Sequence, residues 1–267
     1  MNRIDKRLNE LRKEGKKAFI AYITCGYPNL KLTESLMIEL SRAGVDMIEM
    51  GMPFSDPMAD GITIQMSSQA ALKNKITLTK VFSLARRLRA KIEAPLILFT
   101  YYNPIYHMGI AKIGKRLLSS GIDGLIVPDL LPEEAGGLKS ELKKYNLDLI
   151  YLAAPTTKTS RMKKIAQQSK GFIYYISRTG ITGARKDISS DIEYNMDRIK
   201  RIAKKPVVVG FGISNPAQAA QIARISDGVV VGSAIVNQIK KNLGKPNLVK
   251  KVGEFVGELV KAAKEAR

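Results

Sequence analysis

The chain is short of sulfur, of histidine and of acid. One cysteine, Cys25, and one histidine, His107, stand among 267 residues. A single cysteine makes no internal disulfide, which fits a reducing cytoplasm. One histidine and one cysteine make no zinc cluster, so no metal is expected. Long apolar runs are missing too. No stretch of about 18 uncharged apolar residues is present to form a transmembrane helix, and no membrane association is expected. The opening MNRIDKRLNELRKEGKK mixes both signs of charge and lacks the apolar core of a signal peptide. Acid is scarce: 24 Asp and Glu face 44 Lys and Arg, a formal charge of +20. That surplus invites a nucleic-acid reading. Yet the basic residues are spread along the whole chain with acids among them. The densest runs, Arg86-Arg87-Leu88-Arg89, Arg198 to Lys205 and Lys240-Lys241, fall in expected helices, where a solvated face accounts for them. No zinc-finger spacing or RRM-type aromatic signature accompanies them, so no nucleic-acid partner is expected.

Against these shortages stands a regular alternation. Short apolar, β-branched runs recur about every 25–35 residues: Phe19–Thr24, Met47–Met52, Leu96–Tyr101, Gly124–Pro128, Leu147–Ala153, Phe172–Ser177, Val207–Gly212 and Val229–Gly232. Runs apolar throughout are what strands covered on both faces look like. Helical spacing fills the gaps, as in Val81, Leu84, Ala85 and Leu88. Asn103-Pro104, Leu131-Pro132 and Asn215-Pro216 place Pro at expected first helical turns. Eight strands alternating with helices predict an α/β fold, a (β/α)8 TIM barrel, with an open doubly wound sheet as the alternative. No linker-like segment interrupts it, so residues 1–267 read as one domain. Ile4, Leu8 and Leu11 share a helical face, an extra N-terminal helix expected across the barrel bottom.

Active sites of such barrels form at the carboxyl ends of the strands. Alternation turns Glu49 toward the barrel axis near its upper rim. Desolvation there raises a carboxyl pKa and suits it to general acid–base work; the alternative is a structural Glu paired with a buried cation. The loop that follows, PFSDPMADG, carries Asp56 and Asp60, each a helix cap or a functional acid. Gly210-Phe211-Gly212 and Gly232-Ser233 close two late runs. Glycines there let backbone approach an anion, and a helix amino terminus offers free N–H groups. Ser177 to Arg185 contains two glycines three apart and reads as a mobile lid or an ordinary flexible loop. Tyr22, Tyr101, Tyr102, Tyr174 and Phe211 gather at the same rim, where a flat apolar substrate would stack. Cys25 and His107 read as a buried filler and an incidental helix residue.

From Glu49 through GMPFSDPMADG the sequence closely resembles the tryptophan synthase α-subunit family. AYITCGYP, GITIQ, SRTGITGA, GFGIS and GSAIV extend the likeness over nearly the whole chain. The resemblance implies retro-aldol cleavage of indole-3-glycerol phosphate to indole and glyceraldehyde 3-phosphate in tryptophan biosynthesis. It implies a lyase without metal or organic cofactor, on a TIM barrel with extra helices in its βα loops. It makes Glu49 and Asp60 catalytic. Phosphate-binding positions match Gly183, Gly212, Gly232 and Ser233. Indole-pocket positions match Tyr22, Phe99, Tyr101, Ile126, Leu152, Tyr174 and Phe211, with Tyr22 where members carry Phe. Arg178 and Thr182 fall in the lid. A pyridoxal-phosphate β subunit is the implied partner, in an α2β2 complex that receives indole, with Asp56 at the interface. Another phosphate-binding barrel enzyme is the competing reading, but it would need a catalytic Lys or a metal-binding Asp elsewhere.

Overall fold

The computed structural model describes residues 2–176, 190–210 and 212–266. Its strands are β1 Ala18–Thr24, β2 Met47–Gly51, β3 Leu96–Phe99, β4 Gly124–Ile126, β5 Asp148–Ile150, β6 Leu152–Ala153, β7 Ile173–Ile176, β8 Val207–Gly210 and β9 Gly228–Val231. Every neighbouring pair is parallel, in the order β5-β4-β3-β2-β1-β9-β8-β7-β6. The run expected as one strand over Leu147–Ala153 is therefore two. At Tyr151 the chain changes neighbours, β5 pairing with β4 and β6 with β7. The Ser169 hydroxyl takes the Tyr151 N–H at 3.1 Å, in place of a ladder bond. The Tyr151 carbonyl still accepts from Tyr174 at 3.1 Å. One residue joins the two ends of the sheet order, so the covalent chain closes an eight-staved barrel.

The helices among the described residues are α1 Arg3–Lys13, α2 Leu30–Arg42, α3 Ile62–Lys73, α4 Leu78–Arg89, α5 Tyr102–Met108, α6 Ile110–Ser120, α7 Gly136–Lys144, α8 Thr159–Gln168, α9 Ser190–Ile202, α10 Pro216–Ile225, α11 Ser233–Lys241 and α12 Leu248–Lys264. Four of them exceed the eight that a plain barrel needs: α1, and α3, α5 and α11 in the loops after β2, β3 and β9. Asn215 caps α10 by accepting from the Gln218 N–H at 3.0 Å, with Pro216 at the first turn as expected. Pro104 likewise lies in the first turn of its helix, although Asn103 is not the cap, and only the Leu131-Pro132 signal misleads. Asn103 lies inside α5, whose cap is Tyr101. Pro132 opens only a turn, and α7 starts at Gly136. No described helix is long and apolar enough to cross a membrane.

The amino-terminal end of the barrel is tied shut. α1 lays Ile4, Leu8 and Leu11 against the core. Three aspartates, each one residue ahead of a strand, accept an N–H at the start of the strand beside it, the second of β1 and the first of β3 and β8. Asp46 takes Phe19 at 2.8 Å, Asp123 takes Leu96 at 2.9 Å and Asp227 takes Val207 at 2.8 Å. Arg7 of α1 and Lys264 of α12 close on Asp46 at 2.7 and 3.0 Å, and Arg3 closes on Asp123 at 2.7 Å. The opposite, carboxyl end is left to its loops.

Candidate active site

Strand register sets the site. Glu49 of β2 lies level with Tyr22 of β1 and Ile97 of β3. It is 0% exposed, and neither carboxylate oxygen has a hydrogen-bond partner among the described residues. Burial pushes its pKa up to about 8, because water no longer solvates the charge and no cation replaces it. Among the described residues no buried cation pairs with Glu49.

Asp60 is half-buried at the end of the loop after β2, immediately before the Gly61 cap of α3. Burial lifts its pKa to about 6, and a hydrogen bond from Tyr101 restrains the rise. The loop is locally knit: the Asp60 N–H reaches the Pro57 carbonyl at 3.0 Å, and the Gln65 amide donates to the Asp60 carbonyl at 2.8 Å.

Between these acids and the late strands lies a cavity of about 160 Å³. Tyr22, Phe99 and Tyr174 form its aromatic wall, with Asp60 on the rim. Tyr22 meets Phe99 edge to face, centroids 5.7 Å apart. Both tyrosine phenols titrate high, first because they are buried and then because they face the Asp60 and Glu49 charges. Room for the rings comes from missing side chains. A Cβ on Gly51 would collide with the Tyr22 hydroxyl, and one on Gly210 would lie 2.7 Å from that of Tyr174. Across the cavity stand Gly212, Gly232 and Ser233. Ser233 opens α11, whose first turn has no side-chain cap and so presents free N–H groups. Larger hollows of about 610 Å³ under the barrel and 510 Å³ beside α8 have no unpartnered buried carboxylate on their walls.

The structure thus gathers Tyr22, Phe99, Tyr174, Asp60, Gly212, Gly232 and Ser233 around one cavity, with Glu49 beside Tyr22 and Tyr174 and shut off from solvent. Ile126 and Leu152 stand in register with Phe99 and Tyr174, outside the cavity lining. Tyr101 is also off the lining; its hydroxyl meets the loop after β2. Asp56 is exposed on that loop and accepts from the Ser55 hydroxyl at 2.5 Å. Arg178, Thr182, Gly183 and Phe211 lie outside the described residues. Wall residues not singled out from sequence include Ile64, Ile176 and Val230. Strand alternation carries a signal for two of them: Ile176 is two residues past Tyr174 and Val230 two before Gly232.

Comparison with known proteins follows the same outline. The family model described as tryptophan synthase alpha chain matches residues 8–264. A tryptophan synthase alpha chain of Geotalea daltonii is 47% identical over 245 residues, 92% of this chain and 93% of the relative. The crystal structure of tryptophan synthase subunit alpha from Legionella pneumophila superposes with a TM-score of 0.92 at 38% identity, covering 98% of both chains. An open form of tryptophan synthase from M. tuberculosis gives a TM-score of 0.89 at 30% identity over 98% of this chain and 99% of that one. With barrel, cavity and near full-length identity in agreement, this chain belongs to the tryptophan synthase alpha chain family.

Proposed function

We propose that this chain cleaves indole-3-glycerol phosphate to indole and glyceraldehyde 3-phosphate, with Glu49 as proton carrier and Asp60 as anchor of the indole nitrogen. The observation that carries the reading is a buried carboxyl group without partners beside an aromatic cavity that has a second carboxylate on its rim. Indole leaves carbon poorly unless its C3 is protonated. Glu49, neutral below about pH 8, holds that proton. Once C3 is protonated, positive charge develops at the ring nitrogen. Asp60, ionised above about pH 6, accepts the N–H and stabilises that charge more as it grows. The Glu49 carboxylate then takes the proton of the adjacent glycerol hydroxyl. The C–C bond breaks, its electron pair restores the indole, and the hydroxyl carbon becomes the aldehyde. Glu49 ends protonated, so the cycle closes without a metal or organic cofactor.

Tyr22, Phe99 and Tyr174 stack on the indole, and Gly212, Gly232 and Ser233 with the first turn of α11 receive the phosphate. The chain works as one domain in the cytoplasm and passes indole to a β subunit in an α2β2 complex. Exposed apolar side chains mark the docking face. Met58, Tyr106 and Leu131 are 85%, 67% and 40% exposed on the segments after β2, β3 and β4, the first of which carries Asp56. The test is direct. Purified chain given indole-3-glycerol phosphate releases indole and glyceraldehyde 3-phosphate in equal amounts, and Asp60→Asn slows it strongly. No indole, even with a β subunit present, contradicts the reading.

A further inference from the structure

Asp60 is carried on an open stretch of chain. From Ser55 to Ile62 every residue is exposed or half-buried, so packing does little to hold the backbone there. Hydrogen bonds hold it instead, on both sides of the Asp60 Cα. On the amino side the Asp60 N–H donates to the Pro57 carbonyl at 3.0 Å, within the loop. On the carboxyl side the Asp60 carbonyl accepts from the side-chain amide of Gln65 at 2.8 Å. Gly61, the cap between them, has no side chain with which to stiffen the junction. Gln65 belongs to α3, and α3 is fixed to the barrel along its length. Thr24 at the end of β1 and Ser67 of α3 are both fully buried, and their hydroxyls meet at 2.7 Å. At the far end the Asn74 amide donates to the Gly26 and Pro28 carbonyls after β1, at 3.0 and 2.8 Å.

From this geometry we infer that Gln65 is a positioning residue for Asp60: its amide pins the peptide between Asp60 and Gly61 to a helix locked on the barrel. The inference rests on the catalytic reading of Asp60 and deepens it. With the peptides on both sides bonded, the Cα–Cβ direction of Asp60 is set, and only its two side-chain torsions stay free. Gln65 is outside the cavity lining and acts through Asp60. Without the amide, the peptide at a glycine junction is released to turn. Misplacing a reacting partner by about 1 Å can cost a hundredfold in rate.

Gln65→Met keeps side-chain length and helix propensity and removes the amide. It is made in the parent chain and in Asp60→Asn. In the parent, kcat/KM for indole-3-glycerol phosphate should fall by about ten- to a hundredfold. In Asp60→Asn the further loss should be less than about twofold, since the carboxylate that the amide places is gone. Inorganic phosphate should bind as it does to the parent, because the late-strand glycines lie across the cavity. Thermal stability should change little, because the freed Asp60 carbonyl is on a stretch that water reaches. Carboxyl-carbon NMR of the substrate-free protein should show the Asp60 resonance shifted or broadened. A resonance identical to the parent's, or equal losses in the two backgrounds, overturns the inference. If the parent chain releases no indole while the Asp60 resonance still changes in Gln65→Met, the proposed activity fails and the positioning role stands, so the two failures are separable.

Discussion

At the scale of single residues, the site is two carboxyl groups pushed apart by their surroundings. Glu49 reaches about 8 and Asp60 about 6. The chemistry needs Glu49 protonated and Asp60 ionised, so kcat/KM should rise through about pH 6, peak near neutrality and fall through about pH 8. A flat profile from pH 5 to 9 contradicts that assignment. The same burial has a stability consequence. Glu49 is raised from 4.5, so the native state binds more protons than the unfolded chain between that value and about 8. Stability from this group is full below about pH 4.5 and is lost as pH rises through 8, on the order of 5 kcal/mol. Glu49→Gln should therefore gain melting temperature relative to the parent as pH climbs from 6 to 9; a gap that stays constant with pH argues against a buried neutral acid. Asp148 at the barrel bottom, burial-raised to about 7 with one oxygen unpartnered, should behave alike in Asp148→Asn, its window closing near pH 7. Glu49 was legible in sequence because strand alternation turns it inward and the nearby runs offer no cation. Asp148 was not, because the run containing it reads as apolar and its lack of a partner is a fact of packing.

At the scale of elements, the strands and helices were readable from period alone, and the errors have local causes. The fifth run splits because a serine hydroxyl 18 residues further along the chain, Ser169, competes for one N–H; apolar patterning carries no trace of it. Pro132 marks a turn, since Pro fits turn and helix starts equally. The aspartates at the strand entrances went unread because the N–H donors they accept from belong to neighbouring strands. They differ in load. Asp46, with a fully buried side chain, holds Phe19, Arg7 and Lys264, so Asp46→Ala leaves Arg7 to Glu10 and Lys264 to the Gly44 carbonyl, frees an N–H and should cost about 2–4 kcal/mol. Asp227 holds the Val207 N–H, and Asp227→Ala should cost about 1–2 kcal/mol. Urea denaturation ranks them; equal losses would mean that the Arg7 and Lys264 ion pairs contribute nothing.

At the scale of the molecule, barrel closure through Tyr151 brings β7, β8 and β9 round to face β1 and β2. That juxtaposition places the glycines of the late strands opposite the two acids, and no local pattern contains it; it follows from reading the eight alternating runs as a closed barrel. The +20 charge belongs to this scale as well. If it steers docking with an acidic β subunit, association rates should fall as ionic strength rises, and rates insensitive to salt would remove that role. The central claim, proton transfer by one buried acid, is tested most directly by Glu49→Gln. The account predicts that this variant binds indole-3-glycerol phosphate as the parent does while kcat falls by about a thousandfold or more. Turnover near that of the parent would contradict it.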